Sequence, residues 1–123
     1  MTALQKNILI VEDEKPLAHA LTAKLTKSGF AVTAAENGEE ALEHLTSGAF
    51  DLVITDLVMP GMDGFGLLTA MKEKNIHIPT VVLSNLSQES DESKALELGA
   101  ALFLIKSGTP LTDIITKVNE LVS

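Results

Sequence analysis

A chain of 123 residues with 46% apolar and 21% charged side chains has the length and composition of one folded core, and of neither two cores nor a disordered chain. Its lack of cysteine excludes disulfides, thiolate chemistry and sulfur-ligated zinc, and suits a reducing cytoplasm. A formal charge of −8, with neither tryptophan nor tyrosine, speaks against direct nucleic-acid binding, which draws on clustered Lys and Arg and on stacking aromatics.

The chain opens with MTALQKNILIVED, which has no basic region ahead of a long apolar run. No apolar run approaches the ~18 residues of a membrane span, so a cytoplasmic protein that neither crosses nor leaves the membrane is expected. The first predicted strand covers 7–11, and its ILIV is apolar on both faces. Leu17, Leu21 and Leu25 then recur every fourth residue, the stripe of a helix lying on a sheet. The second strand is 31–35, and Asn37 with Glu40 has the spacing of a capping box opening the second helix. The third strand is 52–55, with Asp63 as cap of the third helix, and the fourth strand is 80–83. The acidic run Glu89, Asp91, Glu92 reads as a solvated face or a favourable helix start. The fifth strand is 102–105. Thr109 and Pro110 read as cap and first-turn proline of a last helix striped by Leu111, Ile114, Ile115, Val118, Leu121 and Val122. Gly29, Gly48 and Gly99 each follow a helical segment where a left-handed C-terminal cap is wanted.

Strands apolar on both faces belong to a parallel sheet covered by helices from both sides. Short connections and right-handed crossovers make the five β/α units a doubly wound α/β fold, strand order 2-1-3-4-5, with residues 1–123 as a single domain. In that order strands 1 and 3 are neighbours where the winding reverses, and ligand sites form beyond their carboxyl ends.

Glu12 and Asp13 follow strand 1 and Asp56 follows strand 3, so the topology brings three acids into one crevice. One acid at a strand end more often caps the next helix, as Asp13 or Glu14 would here; three converging there call for a compensating cation. Oxygen donors without histidine favour Mg2+ ahead of Ca2+ or Mn2+. Ser84 ends strand 4 and Lys106 ends strand 5 along the same edge. Phosphoryl transfer needs an in-line nucleophile, a metal, and donors for the equatorial oxygens. Asp56 supplies the first, and Lys106 and Ser84 the last.

IVED at 10–13, DLVMPGMDG at 56–64, LS at 83–84 and FLIKS at 103–107 resemble the signature blocks of response-regulator receiver domains, over essentially the whole chain. The resemblance implies a flavodoxin-like (βα)5 fold and a place in a two-component phosphorelay. Asp56 would accept phosphoryl from a histidine kinase or histidine phosphotransfer protein, or slowly from small phosphodonors. The acyl phosphate would form and hydrolyse largely by self-catalysis, so the chain is not an enzyme in the usual sense. By the same match Asp13, Asp56 and the Val58 carbonyl would bind Mg2+, with Glu12 acting through water. Lys106 would pair with phosphoryl oxygens, Ser84 would be the switch hydroxyl, and Phe103 the aromatic that turns inward as Ser84 moves. Output would appear on the helix 4, strand 5, helix 5 face. A stand-alone receiver without an output domain would act through a downstream protein that the sequence does not identify.

Receivers usually carry proline after the strand 5 lysine, whereas this chain has Ser107 and Gly108, so a trans peptide and a differently shaped loop are expected. Asn85 follows Ser84 where the family has a very small residue, which narrows the entrance or adds a donor. Val58 and Leu86 put apolar side chains on the path of attacking water and predict slow hydrolysis. His19, His44 and His77 read as surface residues, and Met59, Met62 and Met71 as packing. A phosphatase of the haloacid-dehalogenase type would need D-x-D where Asp56, Leu57 and Val58 stand. A flavodoxin would need a glycine- and hydroxyl-rich loop in place of Glu12, Asp13 and Glu14. The remaining alternative is a receiver-like scaffold that no longer transfers phosphoryl.

Overall fold

A computed structural model describes residues 5–85 and 89–122. In chain order the elements are β1 (Asn7–Val11), α1 (Lys15–Lys27), β2 (Ala31–Ala35), α2 (Gly38–Ser47), β3 (Leu52–Asp56), α3 (Gly64–Glu73), β4 (Thr80–Ser84), α4 (Glu89–Glu97), β5 (Leu102–Ile105), a 3-10 turn (Lys106–Gly108) and α5 (Leu111–Val122). All pairings are parallel and the sheet order is β2-β1-β3-β4-β5, the doubly wound arrangement expected. β3 and β4 each run one residue past the predicted end, because Asp56 pairs with Leu83 and Ser84 with Ile105 in the ladder.

The period-2 alternation of the strands splits the core between two faces. Ile8, Ile10 and Ile54 pack with Leu21 and Leu25 of α1 and with Ile114 and Val118 of α5. Leu9, Val11 and Val53 pack with Ala41 and Leu45 of α2 and with Leu67 and Met71 of α3. Every residue of β3 and β4 is buried, so the side chains at their ends sit on a rigid platform. Met59 and Met71 are buried and Met62 packs beside them, as expected. Among the described residues no helix is long and apolar enough to cross a membrane.

Several local expectations change. Gly29 (φ 99°) and Gly99 (φ 107°) take the left-handed form, but Gly48 is extended (φ −132°). The left-handed residue after α3 is instead Asn75 (φ 57°), the non-glycine best suited to it. Asn37 accepts from the Glu40 N–H at 2.8 Å, whereas the Glu40 carboxylate accepts from the Glu36 N–H at 3.5 Å rather than from Asn37, so the box closes on one side only. Asp63 caps α3, accepting from the Gly66 N–H at 2.8 Å. The first carbonyl to accept within α5 is that of Pro110, from Ile114 at 3.2 Å, which puts proline at the cap and Thr109 one residue outside. His19 and His77 are exposed, but His44 is half-buried, edge-on to Phe50 at 6.5 Å and 3.9 Å from Glu40. No described peptide bond is cis, so Ser107 follows Lys106 through a trans bond into the 3-10 turn.

Gly64 sets how closely α3 meets the sheet. A Cβ there would stand 2.5 Å from the Asp56 carbonyl oxygen and 2.9 Å from the Leu57 Cα, both backbone atoms that cannot yield. Only glycine lets the helix start directly against the end of β3.

Candidate functional site

The ladder carries the chain one residue beyond β1, where the Glu12 N–H donates to the Ala35 carbonyl at 3.0 Å. Glu12 is thereby held with its side chain inward, and it is 4% exposed. Asp13 next to it is exposed, and Asp56 at the end of β3 is 7% exposed. One carboxylate oxygen from each of the three lies within 4.8 Å of the others. Oxygens on opposite sides of a hard divalent cation stand about 4–5 Å apart, so an all-oxygen set at this spacing could hold one. Asp56 Oδ1 also accepts from the Leu57 N–H at 2.7 Å, a contact that fixes the carboxyl plane.

Lys106 enters from β5. Its ammonium donates to Asp56 Oδ2 at 2.8 Å, pairs with Glu12 Oε1 at 2.9 Å, and lies 3.5 Å from Glu14 Oε2. Ser84 ends β4 and is 1% exposed. A cleft of about 260 Å3 opens between Asp13, Glu14, Asp56, Val58, Ser84, Asn85 and Lys106. Glu14 is the cap residue of α1, but its side chain makes no cap hydrogen bond and faces Lys106 instead.

Burial and a set of like charges govern the electrostatics. Burial pushes the Glu12 carboxyl above its ordinary value; hydrogen bonds from Lys106 and the Glu14 N–H oppose this, and the charge of Asp56 adds to it. Burial alone pulls the Lys106 ammonium down, but the hydrogen bonds and charges of Asp56 and Glu12 together outweigh it and hold it above the usual lysine range. The ammonium takes the compensating place between two acids.

The sequence matches the family described as response regulator receiver domain over residues 8–119. The chain belongs to that family. Its fold superposes on the Francisella response regulator 1452 receiver domain with a TM-score of 0.91 at 29% identity, covering 96% of this chain and 97% of that one. A Cyanidium caldarium protein named "Probable transcriptional regulator ycf27" is 39% identical over 86% of this chain and 42% of its own length. The alkaline phosphatase synthesis transcriptional regulatory protein PhoP of Bacillus subtilis is 32% identical over 87% of this chain and 45% of its own length. The receiver therefore spans less than half of either of these two relatives. It is a signal-transduction module.

In this receiver the residues singled out from the sequence, Glu12, Asp13, Asp56, Ser84 and Lys106, all reach one edge of the sheet. Val58 lines the cleft and is 62% exposed, whereas Leu86 lies outside the described residues. The ring of Phe103 points inward here, 9% exposed in a buried cluster with Leu57, Val82 and Ala95. A phenyl ring has no hydroxyl to keep in water, so burial needs no modification of the site. Two groups beside these residues were not anticipated there: the Leu57 N–H, which donates to Asp56, and the Glu14 carboxylate, 3.5 Å from Lys106.

The raised pKa of Glu12 gives a pH signature. Its folded form holds a proton to higher pH than the unfolded chain, so its contribution to stability is full below the ordinary value of 4.5 and is lost as pH rises through the raised one. Glu12→Gln lacks that loss. In urea titrations with chelator, the stability of Glu12→Gln minus that of the unaltered protein should grow from pH 4.5 upward and then level. A difference that stays flat over that range contradicts the assignment.

Proposed function

We propose that this receiver is the phosphoacceptor of a two-component phosphorelay, with Asp56 as the residue modified. The observation that carries the reading is the Asp56 carboxylate, opening on the cleft within 2.8 Å of Lys106 Nζ and beside the Glu12 and Asp13 oxygens. An Asp56 oxygen attacks the phosphorus of a phosphohistidine in line; the O–P bond forms as the P–N bond breaks, and imidazole leaves. Asp13, Asp56 and the Val58 carbonyl would hold Mg2+, with Glu12 reaching it through water. When bound, the ion supplies neutralisation of the phosphoryl oxygens. Lys106 would move its ammonium from the carboxylates to a phosphoryl oxygen, and Ser84 would donate to another.

A hydroxyl drawn toward new oxygens biases whatever packs behind it. Phe103, buried in the same cluster as Ala95 of α4, would pass that bias to α4. The α4, β5, α5 face would then present the changed surface to a downstream protein. On this reading residues 1–123 act as one receiver unit, a cytoplasmic location fits the donor, and the donor is a histidine kinase or histidine phosphotransfer protein.

Incubation with Mg2+ and acetyl phosphate, followed by peptide mass mapping, tests the reading. One Mg2+-dependent phosphoryl group on Asp56 is the expected result, and an unmodified chain would instead favour the scaffold alternative. The exposed Val58 side chain at the cleft supports slow hydrolysis of the product. A lifetime of only seconds at neutral pH would contradict that.

A further inference from the structure

Glu39, in the first turn of α2, points its carboxylate at the loop joining β3 to α3, and the Met62 N–H donates to both oxygens at 3.2 Å. That loop also carries the Val58 carbonyl. Its ends are fixed locally: the Leu57 N–H sits on Asp56 at 2.7 Å, the Gly64 N–H donates to the Leu57 carbonyl at 2.8 Å, and Asp63 caps α3. Between these anchors the backbone turns through Pro60 and Gly61, both exposed, with Gly61 at φ 73°. Glu39 braces this turn from a different element. The fit is close, since a Cβ on Gly61 would stand 3.0 Å from Glu39 Oε2, and one on Gly38 would stand 2.8 Å from the Met62 carbonyl.

We infer that Glu39 is a positioning residue for metal binding: by holding the Met62 amide it keeps the loop in the form that presents the Val58 carbonyl to the cation. The inference rests on the proposed function, because it concerns the Mg2+ that function requires. An acid in the first turn of a helix also favours the helix dipole, a role that depends on charge alone. The loop contact depends on an acceptor atom instead, and the two roles separate by substitution. Glu39→Gln keeps a carbonyl oxygen for the Met62 N–H and loses the charge, whereas Glu39→Ala loses both.

The chain offers no Trp or Tyr as an optical reporter. Mg2+ affinity of the full chain is therefore read by calorimetry, and the loop by amide hydrogen exchange at Met62 without metal. Glu39→Ala should raise the Mg2+ Kd about tenfold, the scale of losing a residue that orients a ligand, and speed the Met62 exchange. Glu39→Gln should stay within about threefold of the unaltered protein on both measures, while the two variants lose similar thermal stability. The inference is overturned if Glu39→Ala keeps its Kd within about twofold, or if Glu39→Gln weakens binding as much as Glu39→Ala. An unaltered protein that binds no Mg2+ would overturn the proposed function as well, whereas normal binding with an unaffected Glu39→Ala overturns this inference alone.

Discussion

Asp56→Asn lowers the rate of phosphoryl uptake from acetyl phosphate by more than about 10³-fold, with the fold intact. The amide is isosteric with the carboxylate, and its carbonyl oxygen can still accept from the Leu57 N–H that holds Asp56 at 2.7 Å. What disappears is the proposed nucleophile, together with one of the three acids that could hold a metal ion. Stability should change little, because removing one of three crowded carboxylates relieves repulsion while weakening the Lys106 pair. Intact-mass kinetics with Mg2+ provide the measurement. Uptake by Asp56→Asn at the rate of the unaltered chain, or a phosphoryl group found on Asp13 in both proteins, would end the assignment of Asp56 as acceptor.

Lys106→Met destabilises the metal-free protein by about 3 kcal/mol at neutral pH, the scale of breaking a buried ion pair from one side. The lysine side chain is only 9% exposed, and its partners are scarcely more so, at 2% for Glu12 and 9% for Asp56. Methionine fills the space of the aliphatic stem but leaves two buried carboxylates facing each other without a cation. A proton can take the missing place, so the deficit shrinks as pH falls and returns as it rises. Mg2+ can take it too. The variant should bind Mg2+ about tenfold more tightly than the unaltered protein, since no ammonium repels the ion, and saturating Mg2+ should recover most of the lost stability. Phosphoryl uptake should nevertheless fall, because the proposed donor to the phosphoryl oxygen is gone. Urea denaturation in chelator and in Mg2+, with calorimetric titration, checks each part; equal stability in chelator would show that Lys106 is no counter-charge.

The fold was legible because its signals are local and redundant. Strands apolar on both faces, helices striped at Leu21 and Leu25 or at Ile114 and Val118, and short connections admit one topology. The two strand ends set one residue short are those where the ladder includes a polar residue, Asp56 or Ser84. Hydropathy falls there although the hydrogen bonding continues. The helix ends failed for another reason: Gly48 was read from residue type, but the chain leaves α2 extended, and Asn75 takes the left-handed turn elsewhere. His44 carried a signal that was overlooked, since it stands three residues after Ala41 and one before Leu45, on the flank of the buried stripe of α2.

Convergence of the acids followed from topology, because strand order alone makes the ends of β1 and β3 neighbours. The reach of Lys106 did not, since it depends on how the 3-10 turn replaces the family's proline and on the path of a flexible side chain. The Glu39 contact was equally invisible: it spans 23 residues, joins two elements by one side chain and one backbone amide, and leaves no periodic trace.

The lysine bridge has a consequence for how the protein matures. Many metal sites cannot form until the ion arrives, and their domains stay unfolded without it. Here the ammonium of Lys106 already balances Glu12 and Asp56. If the proposed function holds, a newly made chain would complete its structure before it meets magnesium, and a shortage of the ion would silence signalling without sending the protein to proteolysis.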